Sequence, residues 1–249
     1  MPRANRYVLP GLVWHITHRC HRQQFLLKFQ RDRANWRRWL FEARKRYGLC
    51  VLNYIATSNH IHLLVLDTGR NEIPAAMRLV AGRTAQAYNR RKSRKGAFWE
   101  DRYHATAVET GEHLARCLVY IDLNMVRAGV VRHPDQWGVS GYHEIQTPPA
   151  RYRAVDREAL ARTLELPSIQ SLAVHHRQWV EEALTNDRCS RDDRWTRSIG
   201  VGSEAFVAQL KQQLGLRALD RTVTVDDDAA FIAEDPAPYA AISPPKSSF

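Results

Sequence analysis

Two histidines stand two residues apart in the run Asn59-His60-Ile61-His62-Leu63-Leu64-Val65. On a strand, a period of two sends both imidazoles out of one sheet face while Ile61 and Leu63 pack on the other. Two imidazoles side by side are half of a divalent-metal site. The plainer alternative is a pair of hydrogen-bonded polar residues on a solvated face. A second group lies in Tyr120-Ile-Asp-Leu-Asn124-Met-Val-Arg127-Ala-Gly129, where helical spacing stacks Tyr120 and Asn124 one above the other. A phenol that can attack and an amide oxygen that can ligate would then share one site, unless Tyr120 is a core aromatic beside Leu118 and Leu123. A phenol has an ordinary pKa of about 10 and attacks phosphate poorly. A metal on a non-bridging oxygen makes the phosphorus electrophilic and stabilises the charge of the transition state.

The elements that must hold these groups follow from periodicity and turn residues. Gly11 to Thr17 predicts a strand after the Pro10-Gly11 turn. Asp32 to Tyr47 predicts a helix, with Trp36, Trp39, Leu40 and Ala43 at helical spacing and Gly48 placed to end it. Leu49 to Ala56 and His60 to Leu66, separated by Thr57-Ser58-Asn59, predict a β-hairpin. A second helix is expected over Glu72 to Asn89, a short strand over Tyr103 to Val108, and a third helix from Gly111 or Glu112 through Leu123, reaching a Gly129 cap. The order β-α-β-β-α-β-α implies an α+β fold, a ferredoxin-like split β-α-β antiparallel sheet covered by helices. Beyond the Pro148-Pro149 boundary, amphipathic stretches near 155–164, 174–184 and 203–214 suggest a small helical C-terminal region. The expected division is a catalytic domain over 1–148, a helical accessory region over 149–225 and a disordered tail over 226–249, where three aspartates and four prolines gather.

Charge is uneven along the chain. Residues 1–150 hold 24 Lys and Arg against 11 Asp and Glu, and the remainder holds 13 against 15, so the whole excess of +11 lies in the first part. An arginine-rich excess among aromatics suits a polyanion, because guanidinium forks fit phosphate and binding releases counterions. Charge alone does not choose between DNA, RNA and an anionic membrane surface. No apolar run approaches the ~20 residues of a membrane span, and the first residues lack the apolar stretch of a signal peptide; a soluble, cytoplasmic protein is expected. The cysteines form no Cys-x-x-Cys pair, so neither a zinc ribbon nor a disulfide framework is indicated. In His15-Ile-Thr-His18-Arg-Cys20-His21 a strand period sends His15 and His21 one way and His18 and Cys20 the other, which argues against a single zinc site.

Taken together, the His60–His62 strand and the Tyr120–Gly129 helix resemble the single-tyrosine HUH transposases, in particular the REP-associated tyrosine transposases (RAYT). That family carries a histidine-hydrophobic-histidine strand and later a helix close to Tyr-Ile-x-x-Asn-Pro-Val-Arg-Ala-Gly. The Gly11-x-x-Trp14-His15-Ile16-Thr17 strand and Phe98-Trp99-Glu-Asp-Arg102-Tyr103 also look like its pattern, so the resemblance covers roughly residues 5–145. Met125 stands where the family usually has proline, which restores a backbone donor and could let the helix run past Asn124. The resemblance implies that His60, His62 and Asn124 hold Mg²⁺ or Mn²⁺ and that Tyr120 is the nucleophile. Magnesium prefers oxygen ligands, so substrate phosphate and water would complete its shell.

By the same resemblance, the expected activity is metal-dependent cleavage and rejoining of single-stranded DNA at hairpin-forming, REP-like palindromic repeats, through a 5′-phosphotyrosine. Candidate nucleic-acid contacts are Arg37, Arg38, Arg90, Arg91, Lys92, Arg94, Lys95, Trp99 and Arg127. The alternatives are a replication initiator or relaxase-like nickase, which the Asn-x-Val-Arg-Ala-Gly run argues against, and a non-catalytic hairpin-binding protein derived from such an enzyme. The intact set of Tyr120, His60, His62 and Asn124 argues against the second.

Overall fold

A computed structural model of the chain describes residues 9–186, 190–218, 221–226 and 228–233. The first elements are β1 Val13–Arg19, α1 Gln30–Tyr47, β2 Cys50–Ala56, β3 His60–Leu66, α2 Glu72–Arg91, β4 His104–Val108 and α3 Glu112–Asp122, in the order read from the sequence. Gly48 ends α1 in the left-handed conformation, its N–H donating to Arg44 O at 2.9 Å. The fold is α+β: an antiparallel β2-β3-β1-β4 core whose strands are covered by helices.

Strand register decides what each face carries. β1 pairs with β3 so that Thr17 lies opposite His62 and Arg19 opposite His60, and with β4 so that His15 lies opposite Thr106. Paired residues share a face, so His15, Thr17, Arg19, His60, His62 and Thr106 all point one way. Trp14, Ile16, Ile61, Leu63 and Val65 point the other way and are buried. On that apolar side lie α1 and α2: Trp36 of α1 packs on Tyr54 with ring centroids 5.9 Å apart, and Trp99 donates to Ala81 O of α2 at 3.0 Å. The histidine side is covered by α3 and by the single turn α4 Asn124–Arg127.

Despite its amide, Met125 does not give one unbroken helix. The chain leaves helical assignment at Leu123 (ψ 3°) and resumes at Asn124. α4 then closes in a Schellman arrangement, Val130 N to Met125 O at 3.1 Å and Gly129 N to Val126 O at 2.8 Å, with Gly129 at φ 65°.

Beyond this unit come α5 Tyr142–Gln146, α6 Arg157–Thr163, α7 Leu172–Thr185, α8 Arg194–Arg197 and α9 Glu204–Leu214, with α6, α7 and α9 where amphipathic helices were expected. The region also extends the sheet. β5 Ser198–Gly202 joins β4 in parallel, and β7 Ala230–Ala233 and β6 Val223–Val225 follow, giving seven strands among the described residues. These strands escape a periodicity reading because β5 is Ser-Ile-Gly-Val-Gly. A Cβ at Gly200 would stand 2.1 Å from Leu210 Cδ2 of α9, so the glycine answers close packing rather than a turn. The stretch expected as a tail, 226–249, thus includes β7, whose Ala-Phe-Ile-Ala pairs with β5; residues 234–249 lie outside the described ones. No helix among the described residues is long and apolar enough to cross a membrane.

α3 is tied down by a buried polar cluster. Asp122 accepts from Asn53 Nδ2 of β2 at 3.0 Å and from His176 Nε2 of α7 at 2.7 Å, and all three side chains are buried. Removing one member of such a cluster strands the others without partners. Asp122→Ala is expected to lower the unfolding free energy by about 3–5 kcal/mol in urea titrations. A loss under about 1 kcal/mol would mean that the cluster does not anchor the helix.

Candidate active site

Backbone register brings His60 and His62 onto one face, and hydrogen bonds fix their protons. His15 Nδ1 lies 2.8 Å from Trp195 O, a group that can only accept, so this nitrogen carries the proton. His15 Nε2 is then an acceptor, and the 2.8 Å contact with His62 Nδ1 requires His62 to donate. That leaves His62 Nε2 with its lone pair, 2.9 Å from the Asn124 side-chain amide. His60 Nδ1 sits 2.7 Å from Asn59 Oδ1 and 3.0 Å from Thr57 Oγ1, so it is the donor there and His60 Nε2 keeps its lone pair too.

Burial, the largest influence on each, lowers the pKa of His15 to about 3 and of His60 to about 4, and holds His62 well below the usual imidazole value; neighbouring cations push the same way. The rings are therefore neutral near pH 7, the state in which imidazole binds metals. A half-turn of the Asn124 amide would offer oxygen in place of nitrogen. Two imidazoles and an amide could hold a divalent cation only if oxygen ligands from outside the chain completed its shell. No group of three or more His, Cys, Asp or Glu side chains suited to a metal occurs among the described residues.

Tyr120 stands against His62 and His15. Its ring centroid is 5.9 Å from that of His62 and 6.2 Å from that of His15, and Arg127 Cζ lies 4.1 Å from the ring centroid while Arg127 Nη2 donates to Tyr120 O at 2.6 Å. Burial pushes the phenol above its ordinary pKa, and Arg127 and Arg191 oppose that shift. Tyr120 also borders a cleft of about 1000 Å³ whose wall mixes Arg116, Arg127, Arg191 and Arg194 with the carboxylates of Glu112, Glu182, Asp192, Asp193, Asp226 and Asp228; Arg191 is paired with Asp193, and Arg116 with Glu112. His60, His62 and Asn124 are not part of that wall, so Tyr120 is where the cleft meets the histidine face. The depressed His60 pKa has contributions from Arg19, Arg191 and Arg127, guanidinium groups from three separate segments. On the histidine face these cations could meet a phosphate group, whereas Asp192 pushes the Tyr120 pKa up from the cleft side.

Sequence reasoning missed His15 as a partner of His62, and missed Arg19, Arg191 and Trp195. A signal for Arg19 was present, since strand period places it on the same face as His15. Nothing local marks Arg191 or Trp195.

The other expected nucleic-acid residues lie apart from this face. Arg37, Arg38, Arg90, Lys92 and Lys95 are exposed, and Arg38 Cζ lies 5.0 Å from the Trp39 ring centroid. Arg91 is ion-paired with Asp32, and Arg94 bonds Asn89 Oδ1 and Ala97 O. Trp99 is half-buried, stacked on His18 with centroids 4.1 Å apart, so one face of its ring is occupied within the protein. The bridge between Cys20 and Trp99 and the bond from Cys20 N to Asn59 O nevertheless bring the end of this basic segment to the sheet end where β3 begins with His60.

Residues 9–124 match the model of a family described as IS200-like transposases. Among solved structures, a REP-associated tyrosine transposase bound to a REP hairpin is 19% identical, with 58% of this chain covering 84% of that one at a TM-score of 0.50. A candidate transposase from Deinococcus radiodurans R1 is 18% identical, with 47% of this chain covering 92% of that one at a TM-score of 0.35. No curated protein matches the sequence. At such identities the first likeness is one of fold.

The neutral histidines make stability depend on pH with a definite sign. An unfolded imidazole takes up a proton near its ordinary value of 6.5, whereas folded His60 and His15 do so only at about 4 and about 3. Between these values the unfolded chain binds more protons, so stability must fall as pH falls. Urea unfolding of metal-free protein is expected to give a lower free energy at about pH 5 than at about pH 7, with a smaller difference in His60→Gln. Equal slopes in both proteins would contradict a depressed His60.

Proposed function

We propose that the protein, whose residues 9–124 match the model of IS200-like transposases, is a single-tyrosine HUH enzyme that cuts and rejoins single-stranded DNA. The reading is supported above all by one arrangement: His62 Nε2, stripped of its proton by the His15 relay, faces Asn124 while the Tyr120 ring packs on the same imidazole. The proposed catalytic unit is 1–148, and the accessory region 149–225 contributes Trp195 and Arg191 to it.

In the proposed reaction Tyr120 Oη attacks a backbone phosphorus. The bond to the 3′-oxygen breaks, and that oxygen leaves as a hydroxyl, so the phenol proton given up is matched by the proton gained. The product is a 5′-phosphotyrosine that retains the phosphoester, and another 3′-hydroxyl can reverse the step without ATP. His60, His62 and Asn124 would hold Mg²⁺ or Mn²⁺, which when bound supplies Lewis acidity at a non-bridging oxygen. Arg127 holds the Tyr120 ring and, with Arg19 and Arg191, presents positive charge to the phosphate. The solved structure similar in fold was bound to a REP hairpin; hairpin-forming, REP-like palindromes are the proposed substrate here.

Tyr120→Phe should abolish the covalent protein–DNA product in a denaturing gel while leaving hairpin affinity unchanged. His62→Ala should cut that product by at least ~100-fold, Asn124→Ala less, and EDTA should remove it. An adduct persisting in Tyr120→Phe would move the nucleophile elsewhere, and full activity in EDTA would sink the metal mechanism.

The basic segment Arg90 to Lys95 is tested separately. Neutralising it should weaken binding to every strand and flatten the salt dependence by about one unit of slope for each phosphate that is no longer neutralised, without changing the rate within the bound complex. An unchanged slope would place the DNA elsewhere.

A further inference from the structure

The loop joining β1 to α1 has a construction that neither the histidine strand nor the tyrosine helix demands. Arg22 and Gln23 are consecutive residues in the left-handed region, at φ 52° and 56°, a conformation costly for residues that carry a Cβ. Strain of this kind persists only where the surroundings fix it. Here Leu26 and Leu27 are buried, Leu27 N donates to Ser58 O at 2.9 Å, Asn59 Nδ2 donates to Gln23 O at 3.2 Å, and Arg33 Nη1 donates to Leu27 O at 3.0 Å. The loop is thereby pinned to the turn that leads directly into His60.

The consequence is that two large rings are held in solvent: Phe25 is 65% exposed and Phe29 50%. A lone exposed phenylalanine means little. These two sit among cations, with Lys92 Nζ 5.7 Å and Arg31 Cζ 6.0 Å from the Phe29 centroid, and Arg22 and Lys28 exposed beside them. From Arg19 to Arg31 the sequence holds no acidic residue.

We infer that Phe25 and Phe29 form a stacking platform for unpaired bases of the strand that reaches His60, with Arg22, Lys28, Arg31 and Lys92 meeting its phosphates. This rests on the single-stranded DNA reading given above. Every base offers a π-face and every nucleotide an anion, which is the pairing that aromatic rings set among cations recognise. A protein partner would call instead for a contiguous apolar patch, and Gln23, Gln24, Lys28 and Gln30 interrupt this one.

The test uses the full chain, a labelled oligothymidylate, and a strand of equal length made of abasic sites. Phe25→Ala and Phe29→Ala should each lose about tenfold in affinity for oligothymidylate with an unchanged salt slope. Neither should lose affinity for the abasic strand or melt earlier, and Phe29→Trp should retain affinity. Wild-type affinity in both alanine variants, or an equal loss on the abasic strand, would overturn the platform. So would a change in sedimentation with DNA binding intact, which would make the rings an interface between copies. Failure of the wild-type protein to bind oligothymidylate while it still binds a hairpin would overturn the platform alone, and failure on both oligothymidylate and hairpin would remove the functional reading with it.

Discussion

Much of the site hangs on one hydrogen-bond chain, from Trp195 O through His15 and His62 to Asn124. Each link has a direction imposed by the one before, because a carbonyl can only accept and a neutral imidazole has one donor and one acceptor. The chain therefore fixes a tautomer at His62 by starting from a backbone group 180 residues from His15 in sequence. Its buried members, His15 and His62, would be costly without these partners, so their hydrogen bonding and the correct aim of His62 Nε2 are one requirement. The arrangement has the form of an outer-shell partner that orients a metal-binding histidine, with a peptide carbonyl at its origin.

That origin alters what the C-terminal region is. A region joined only by a linker could be removed without cost to the site, but β5 pairs directly with β4, and Thr106 of β4 donates to the carbonyls of both Trp195 and Ser198. The segment that supplies the relay's acceptor is thus stitched into the same sheet as the histidines. Asp122 anchors the other partner, holding the Tyr120 helix to β2 and α7 at once. Sheet and helix are each fixed by interactions outside the first four strands.

The first four strands were legible in the sequence because alternation, turn residues and helical spacing are local properties. His60 and His62 share a face by strand period alone, and Gly48 and Gly129 end helices where their spacing says they should. What was not legible depended on distance along the chain. His15 faces His62 only through the β1–β3 register, β5 is a glycine-rich strand justified by Leu210 and its β4 partner, and β7 lies in a stretch whose aspartates and prolines mask four strand residues. Trp99 is a candidate nucleic-acid contact in the sequence, and what no local pattern shows is that the fold stacks one face of its ring on His18 and bonds its indole to Ala81.

Tyr120 shows why burial at such a site has to be balanced. Burial raises the phenol's pKa, which keeps the Tyr120 hydroxyl protonated near pH 7, and the same desolvation keeps His60 and His62 neutral. For the phenol the effect opposes reactivity; for the imidazoles it preserves lone pairs. Arg127 and Arg191 work against the first effect without reversing it. A buried, protonated phenol beside neutral imidazoles and guanidinium groups is a poor general nucleophile. Under the proposed mechanism it would gain reactivity only where a phosphate meets Arg127 and Arg191 and a cation sits at the lone pairs. Under that mechanism an uncharged electrophile would meet neither condition, so the same burial that slows the phenol would also make it selective.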